Sequence, residues 1–551
     1  MNTAVSVEGL TCTYAGTARP ALADVDLKIP PGALVVVMGA TGAGKSTLAR
    51  CLTRIAPCFT PADVRGEIRL CGIPVAGRRP SELAGTVGMV FQDFEAQLFS
   101  TDVTQEIVFG LEQTGVPPAE MPARVRAALG AVGLAGFEGR DPGTLSGGEK
   151  QRLAIAGLLA LRPRVMILDE PTTDLDPAGR AEVWRALAAL RGEGITLLVI
   201  DHDPAAAAAA DLVVLLEGGR IAACGTPATL LADVARWTRA GVRAADVPRV
   251  FAALDLPDPP LDVDAAAARL RAAGLVPRPR AAAPPPAPRP PLLAAEGLSH
   301  VYPDGRRALA DVSVAFGRGE LVALVGRNGS GKTTLAKHLN GLLAPTTGHV
   351  RLAGADIAGL PLERLAERVG YVFQDPDHQL FASSVAEEVA FGPRNLGLPP
   401  AGVAARVDEA LAAVGLDARD TDPFLLDKGA RQRLAVAAVL ALRPEVLVLD
   451  EPTTGLDFAE QHRMLALLAR LNAAGRTIIV ITHTPWVIAE YAQRVVLLAG
   501  GRVRHDGPLR AFFAEPALVE AAAFRAPDVT RLGQRLGCTP LHVEELVEWL
   551  R

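Results

Sequence analysis

The chain has 551 residues, of which 49% are hydrophobic and 21% charged, a composition typical of a folded protein with several domains. Its net charge of -5 gives no electrostatic reason to expect nucleic acid or an acidic membrane surface as the main partner. No apolar run reaches the roughly 18 to 20 residues that span a bilayer, and no secretory signal is visible, so we expect a soluble, cytoplasmic chain. The six cysteines form no CxxC pair, so neither a zinc site nor a redox dithiol is expected.

Landmarks recur along the chain at a nearly constant spacing. Lys45 and Lys332 lie 287 positions apart, and Asp169 and Asp450 lie 281 apart, which predicts two homologous α/β halves in tandem. Between them, residues 277–291 read PRPRAAAPPPAPRPP, a composition typical of an extended, semi-rigid spacer. The predicted boundaries are 1–227 for the first domain, 228–276 for its helical extension, 277–292 for the linker, 293–510 for the second domain and 511–551 for its helical extension.

Each half contains a glycine-rich loop between an apolar strand and a helix: GATGAGKS at 39–46 and GRNGSGKT at 326–333. In such a loop the backbone N–H groups turn toward an anion, the lysine reaches the outer phosphates, and the hydroxyl residue can hold Mg²⁺. The following helix adds the partial positive charge of its N-terminus. Two matches in matching context predict two nucleotide sites. Their predicted binding residues are Gly39, Ala40, Thr41, Gly42, Ala43, Gly44, Lys45, Ser46 and Thr47, and Gly326, Arg327, Asn328, Gly329, Ser330, Gly331, Lys332, Thr333 and Thr334.

An apolar strand in each half ends in two carboxylates, in the sequences VMILDE at 165–170 and VLVLDE at 446–451. Downstream of a phosphate loop, the first carboxylate is placed to hold Mg²⁺ through its water shell and the second to polarise an attacking water. The alternative is a solvated acidic turn. The residues concerned are Asp169 and Glu170 in the first half and Asp450 and Glu451 in the second.

A further strand in each half leads to a histidine, His202 or His483. The carboxyl edge of an open parallel sheet is where ligands bind. Both imidazoles are therefore placed where a donor could reach a γ-phosphate.

The sequence LSGGEKQ at 145–151 precedes a helix and stands shortly before the VMILDE strand. With the loops and carboxylates, it resembles the signature of ABC ATPases, and the resemblance covers about residues 5–226 and 293–508. It implies two P-loop ATPase domains, each with a parallel-sheet core, an antiparallel β layer near its start and a helical subdomain that carries the signature. It also implies that the two domains close over two ATP molecules, the signature of one domain capping the γ-phosphate bound to the other.

The same resemblance implies roles for further residues. Tyr14 and Tyr302 stand where an aromatic ring stacks on adenine, and Asp176 and Asp457 lie in the D-loops. The implied catalytic residues are Glu170, Glu451, His202, His483, Gln92 and Gln374, the last two being Q-loop residues near Mg²⁺ and the transmembrane partner. The implied Mg²⁺ ligands are Ser46, Thr333, Gln92, Gln374, Asp169 and Asp450, and the signature contacts are Ser146, Gly147, Gly148, Asp427, Lys428 and Gly429.

The second signature departs from this pattern, because it reads LDKGARQ at 426–432. If the domains pair head to tail, Asp427 faces ATP on the first loop, and a carboxylate about 4 Å from a phosphate charge would cost up to several kcal/mol. Alternatively, Asp427 caps the following helix and Lys428 takes over the phosphate contact. We therefore predict two unequal sites, of which the C-terminal loop, facing the intact Ser146 signature, carries most of the turnover.

After the Q-loop glutamines, QDFEAQLF at 92–99 and QDPDHQLF at 374–381 share a second glutamine and a Leu-Phe pair. This resembles the ATPase component of energy-coupling factor importers, the cobalt-transporter-like branch that takes up vitamins and transition metals. The resemblance implies a transmembrane coupling protein and a membrane substrate-binding subunit as partners, and a peripheral location on the cytoplasmic face of the membrane. Gln97 and Gln379 would belong to the docking groove, or would be ordinary polar residues at a helix start.

The alternative function is a soluble tandem ABC ATPase that acts on ribosomes or other nucleic-acid complexes. The linker is rich in proline and alanine, whereas such translation factors usually join their domains by a long, charged helix. The mildly acidic composition also gives no reason to expect nucleic acid as a partner.

Overall fold

The computed structural model describes residues 3–173, 175, 177–278 and 290–551. Asp176 and residues 279–289 of the predicted linker lie outside the described residues. The chain divides into two compact units, Met1–Asp262 and Val263–Arg551, which we call the N-terminal and C-terminal units. Among the described helices, none combines the length and the apolar character that crossing a bilayer requires.

The N-terminal unit contains two sheets. The first is antiparallel, with strand order β2-β1-β4-β5, and the second has the order β10-β9-β3-β8-β7-β6. In the second sheet only the β9–β10 pair is antiparallel. The strands are β1 (Val5–Tyr14), β2 (Leu22–Ile29), β3 (Leu34–Met38), β4 (Ala62–Leu70), β5 (Ile73–Pro74), β6 (Val87–Val90), β7 (Val165–Asp169), β8 (Thr196–Ile200), β9 (Leu212–Glu217) and β10 (Arg220–Gly225).

Helices cover the parallel sheet of this unit and form the helical subdomain between β6 and β7. They are α1 (Lys45–Leu52), α2 (Ile55–Cys58), α3 (Pro80–Leu83), α4 (Val103–Gln113), α5 (Met121–Ala131), α6 (Gly147–Ala160), α7 (Pro177–Gly192), α8 (Pro204–Ala209), α9 (Pro227–Leu231), α10 (Val234–Arg239) and α11 (Asp246–Ala253). All residues of β3, β7 and β8 are buried, as expected for central strands of a parallel sheet that is covered on both faces.

The C-terminal unit repeats this architecture, with sheets ordered β12-β11-β14-β15 and β16-β17-β18-β13-β19-β20. Its strands are β11 (Pro291–Val301), β12 (Arg307–Gly317), β13 (Leu321–Val325), β14 (Thr347–Leu352), β15 (Ala355–Asp356), β16 (Val369–Val372), β17 (Val446–Asp450), β18 (Thr477–Ile481), β19 (Arg494–Ala499) and β20 (Arg502–Pro508). Its helices are α12 (Val263–Ala272), α13 (Lys332–Leu339), α14 (Leu362–Ala366), α15 (Val385–Asn395), α16 (Pro400–Val414), α17 (Lys428–Leu440), α18 (Phe458–Ala473), α19 (Pro485–Tyr491), α20 (Leu509–Ala514), α21 (Pro516–Ala521), α22 (Asp528–Arg535) and α23 (Val543–Leu550). The predicted fold class is confirmed.

Helix α12 follows the first domain in sequence but packs within the C-terminal unit. Asp264 pairs with the guanidinium of Arg535, and Arg271 donates to the carbonyl oxygen of Arg535. The backbone N–H of Arg278 donates to the carbonyl oxygen of Trp549 at 2.7 Å. The unit boundary thus falls inside the segment 228–276, predicted to extend the first domain, and the domain limits stay a prediction.

Candidate nucleotide sites

The first phosphate loop connects β3 to α1 and folds around its own lysine. The Nζ of Lys45 donates hydrogen bonds to the carbonyl oxygens of Gly39 at 2.8 Å and Ala40 at 2.9 Å. Gly44 has a φ of 101°, and a Cβ at this position would lie 2.6 Å from the carbonyl oxygen of Ala21. Because only glycine fits this turn, the loop can enter α1 with the backbone that a phosphate cradle requires.

The second phosphate loop repeats this geometry between β13 and α13. The Nζ of Lys332 donates to the carbonyl oxygens of Gly326 at 2.8 Å and Arg327 at 3.0 Å. Gly331 has a φ of 103°, and a Cβ there would lie 2.6 Å from the carbonyl oxygen of Ala308. Both halves therefore have the same preformed loop.

In the N-terminal unit, the carboxylate of Asp169 lies at the end of β7 beside the phosphate loop. Burial raises the pKa of Asp169 above its ordinary value, an effect that a hydrogen bond with Ser46 opposes. Its Oδ1 atom is buried without a hydrogen-bond partner among the described residues. A hydroxyl and a carboxylate with a free oxygen are hard ligands of the kind that Mg²⁺ prefers, so these residues fit the metal.

Glu170 contacts two other residues that were predicted for this site, His202 and Gln92. The Nε2 of His202 lies 2.7 Å from its Oε1 atom, and the Nε2 of Gln92 donates to its Oε2 atom at 3.0 Å. The hydroxyl of Thr173 also donates to Oε2, at 3.1 Å. Burial alone would raise the pKa of Glu170, but the hydrogen bond and charge of His202 lower it below its ordinary value.

In the C-terminal unit, Asp450 has a hydrogen-bond partner with no counterpart at Asp169 among the described residues. The hydroxyl of Thr333 hydrogen-bonds to Asp450, as Ser46 does to Asp169. In addition, the phenol of Tyr371 donates to the Oδ2 atom of Asp450 at 2.9 Å. The two aspartates that are predicted to bind Mg²⁺ therefore differ in their hydrogen-bond partners.

Glu451 also differs from its counterpart in the first half. Burial and the neighbouring charge of Asp450 raise the pKa of Glu451 to about 8. The Nε2 of His483 lies 3.1 Å from its Oε1 atom, and the hydroxyl of Thr454 donates to Oε2 at 3.1 Å. Gln374 is exposed, and in the described part of the chain no hydrogen bond joins it to Glu451. The structure thus brings glutamate and histidine together in both units, but the Q-loop glutamine only in the first.

The two tyrosines predicted to stack on adenine lie beside the start of the phosphate-loop helix. The hydroxyl of Tyr14 donates to Thr47 Oγ1 at 3.2 Å, and the hydroxyl of Tyr302 lies 3.0 Å from Thr334 Oγ1. The guanidinium of Arg306 lies over the Tyr302 ring, 4.9 Å from its centroid. Both rings are therefore fixed by their hydroxyl ends at the edge of a nucleotide site.

The signature residues Ser146 and Asp427 have the same local role. Ser146 caps α6 by accepting from the backbone N–H of Glu149, and Asp427 caps α17 by accepting from the N–H of Ala430 at 2.8 Å. Of the two alternatives for Asp427, the capping geometry is therefore observed. Lys428 extends toward the D-loop, because a Cβ on Gly455 would lie 2.2 Å from its Nζ.

The second glutamines of the Q-loops make internal hydrogen bonds. Gln97 accepts from the N–H of Phe91 at 2.9 Å, and Gln379 accepts from the N–H of Phe373 at 3.2 Å. Gln379 also donates to the carbonyl oxygen of Ala435 at 2.9 Å. Both side chains stabilise the loop that follows the Q-loop glutamine. The prediction that they belong to a docking groove did not anticipate this role.

Sequence reasoning missed Tyr371 and the two threonines, Thr173 and Thr454. A tyrosine inside an apolar strand is a usable signal, because a buried phenol normally has a hydrogen-bond partner. Tyr371 stands three positions before Gln374, where the first half has Met89 before Gln92. The threonines follow the glutamates by three positions and carry no signal of their own.

Known proteins are similar to this chain in sequence along nearly its whole length. The ABC transporter family model matches residues 22–173 and 309–454. A protein of Caldanaerobacter subterraneus subsp. tengcongensis, provisionally named an ABC transporter ATP-binding protein, is 43% identical over 543 residues, which are 96% of this chain and 95% of that protein. A protein of Methanosarcina acetivorans with the same provisional name is 39% identical over 558 residues, 96% of this chain and 89% of that protein. The solved structure of cbiO1 from Clostridium perfringens, part of the ABC transporter complex cbiONQ, is 36% identical and covers 44% of this chain and 99% of its own, with a TM-score of 0.40.

The family match falls on both units and includes both phosphate loops and both carboxylate pairs. Relatives that match nearly the whole chain have the same name and a similar length. The chain therefore belongs to the ABC transporter family and is an ATP-binding ATPase with two ABC domains in tandem.

Proposed function

We propose that this chain energises an importer of the energy-coupling factor type, which takes up a vitamin or a transition metal. It would work on the cytoplasmic face of the membrane, bound to a transmembrane coupling protein that acts with a membrane substrate-binding subunit. The observation that carries the proposal is the duplication of a complete ATPase site beside a duplicated Gln-Leu-Phe segment in one chain. No nucleic acid partner is part of this proposal.

Within each site the residues divide the work of hydrolysis. Lys45 and Lys332 hold the outer phosphates, and Glu170 and Glu451 accept the proton of the attacking water. His202 and His483, in contact with those glutamates, orient them. When bound, Mg²⁺ would supply positive charge that offsets the negative charge of the phosphates. The residues that would hold it are Ser46, Asp169 and Gln92 in the first site and Thr333, Asp450 and Gln374 in the second.

The two domains would close over two ATP molecules, each phosphate loop facing the signature of the other domain. The C-terminal loop then meets Ser146, whereas the N-terminal loop meets Asp427 and Lys428. Asp427 caps the N-terminus of its own helix, where the positive end of the helix dipole offsets part of its charge. Its repulsion of a phosphate is therefore reduced. Lys428 would supply the positive charge, so the N-terminal site would bind ATP and turn over slowly.

A pair of exposed phenylalanines beside each Q-loop supports the membrane partner. The rings of Phe99 and Phe109 meet edge to face with centroids 4.7 Å apart, and those of Phe381 and Phe391 do so at 4.8 Å. Phe99 is 62% exposed and Phe381 60% exposed. Neighbouring exposed aromatic rings are typical of a surface that another protein covers. Their duplication fits two contacts on one coupling protein.

The proposal can be tested by co-purification. The tagged chain is isolated from gently solubilised membranes of its native cell, and its partners are identified by mass spectrometry. A small multi-span protein together with a membrane substrate-binding protein would support the importer, and the latter would reveal the cargo. Recovery of ribosomal components without such proteins would replace it with the translation-factor alternative.

A matched pair of variants tests the surface itself. Phe99→Ser combined with Phe381→Ser should lose the membrane partners, while Phe59→Ser, at a phenylalanine that is 75% exposed and outside both pairs, should keep them. Retention of the partners by the double variant would contradict the assigned docking surface.

A further inference from the structure

The C-terminal unit contains a hydrogen bond between two adjacent parallel strands at the edge where the nucleotide binds. Tyr371 lies on β16, which pairs with β17, the strand that ends at Asp450. The Tyr371 phenol donates to Asp450 Oδ2 at 2.9 Å, and the tyrosine is 8% exposed. The hydroxyl of Thr333 forms a second hydrogen bond to the same carboxylate. Asp450 is therefore held from two sides before any ligand arrives.

Among the described residues of the N-terminal unit, no second hydroxyl supports Asp169 in this way. Its equivalent strand, β6, pairs with β7 in the same register and has Met89 where β16 has Tyr371. The thioether of Met89 lies 4.0 Å from the hydroxyl of Thr53. Asp169 Oδ1 is buried without a hydrogen-bond partner among the described residues. Asp450 thus accepts from two hydroxyls, those of Tyr371 and Thr333, whereas among the described residues Asp169 has the hydroxyl of Ser46 alone.

We propose that Tyr371 is a positioning residue that orients Asp450 for the metal and makes the C-terminal site the one with higher affinity for a divalent cation. Groups that hydrogen-bond to a metal ligand fix its rotamer, and their loss typically weakens metal binding 10- to 100-fold. Tyr371 itself does not touch the metal or the nucleotide, since its hydroxyl is directed to Asp450. The inference rests on the proposed role of Asp450 as a Mg²⁺ ligand.

The test uses the full chain with one nucleotide site at a time. Lys45→Ala leaves the C-terminal site, and Lys332→Ala leaves the N-terminal site. In each background, binding of Mn²⁺ as a probe for Mg²⁺ is followed by electron paramagnetic resonance in the presence of ATP. Binding of a fluorescent ATP analogue is also measured, with Mg²⁺ and with a chelator.

Tyr371→Phe removes only the hydroxyl. In the Lys45→Ala background it should raise the half-saturating Mn²⁺ concentration by about tenfold or more. Nucleotide binding in chelator should be unchanged, and the Lys332→Ala background should show no effect. The control Tyr491→Phe removes another phenol of the same unit, one that contacts His462 at 3.2 Å, and should leave Mn²⁺ binding as it was.

The outcomes separate this inference from the function on which it rests. If nucleotide binding by the unmodified chain did not depend on Mg²⁺, the metal role of Asp450 would fail. If it did depend on Mg²⁺ and Tyr371→Phe left Mn²⁺ binding unchanged or tighter, the positioning role would be overturned. Equal weakening of nucleotide binding with and without metal would also overturn it, because that pattern indicates a general packing defect.

Discussion

The carboxylate of Asp427 accepts a hydrogen bond from the backbone N–H of Ala430, at 2.8 Å, and so caps helix α17. The first signature has Ser146 in the same place, with its hydroxyl accepting from the N–H of Glu149. The aspartate that makes the second signature unusual therefore keeps the helix-capping role of the serine. A negative charge at this end of a helix is also stabilising, because it faces the positive end of the helix dipole.

The cap predicts the effect of two substitutions on α17. Asp427→Ala should lower the local stability of this helix by about 1 kcal/mol, whereas Asp427→Ser should lower it by no more than a few tenths. Hydrogen exchange of the backbone amides of 428–440, followed by mass spectrometry, measures the difference. Equal exchange in the alanine and serine variants would contradict a capping role.

The two glutamates proposed as general bases, Glu170 and Glu451, should contribute unequally to turnover. In the proposed pairing, the phosphate loop beside Glu451 would face the intact signature of Ser146, whereas the loop beside Glu170 would face Asp427 and Lys428. Glu451→Gln should therefore reduce the ATPase rate of the full chain by about 100-fold or more, and Glu170→Gln much less. Equal losses would count against a dominant C-terminal site.

Exchange of the signature residues provides the control for this asymmetry. Ser146→Asp with Gly147→Lys gives the first signature the Asp-Lys pair of the second and should reduce turnover strongly. Asp427→Ser with Lys428→Gly restores the usual sequence in the second half and should raise it. If the first pair left the rate unchanged, the signature would not be the cause of the inequality.

Residues with fixed chemical roles were predictable from the sequence. The phosphate loop, the carboxylate pair and the histidine each require particular residue types at a particular spacing. The phosphate loops, the Asp169–Glu170 pair and His202 lie together as that spacing predicts. What could not be predicted is how neighbouring strands place side chains against these residues. Tyr371 reaches Asp450 only because β16 and β17 are adjacent in one register, and that adjacency is a property of the folded sheet.

The contact of Gln92 with Glu170 illustrates a second limit. Gln374 has the same sequence context and is exposed, as Gln92 is, yet in the described part of the chain it lacks the corresponding hydrogen bond. The conformation of each loop determines whether its glutamine reaches the glutamate. The sequence around the glutamine does not predict that conformation. The position of α12 could not be predicted from the sequence either, because its contacts with Arg535 join segments more than 260 residues apart.

The second glutamine of the C-terminal Q-loop should stabilise that loop. Gln379 accepts from the N–H of Phe373 and donates to the carbonyl oxygen of Ala435. Gln379→Glu removes the donor and places a carboxylate against that carbonyl, which should cost about 1–3 kcal/mol of local stability. Hydrogen exchange in 373–382 should rise. Unchanged protection there would show that the side chain is free to serve a partner instead.

A pair of buried histidines predicts a pH dependence of the C-terminal unit. The Nε2 of His338 lies 3.1 Å from the Nδ1 of His300, and the Nδ1 of His338 donates to the carbonyl oxygen of Thr334 at 2.7 Å. Burial lowers the pKa of His338 below its ordinary value of 6.5. In the first half the corresponding positions, two before Tyr14 and six after Lys45, are Cys12 and Cys51.

The direction of this pH dependence follows from the number of protons that the folded and unfolded states bind. Below pH 6.5 the unfolded chain binds a proton at His338 that the folded unit does not bind, so stability is lost as the pH falls from 6.5 toward the folded pKa. Urea unfolding of the C-terminal unit, followed by hydrogen exchange of 332–339, should show a lower midpoint at mildly acidic than at neutral pH. The variant His300→Cys with His338→Cys, which copies the pair of the first half, should lose part of this dependence. The same pH dependence in both proteins would mean that other groups cause it, and that His338 binds as many protons in the folded as in the unfolded chain over this range.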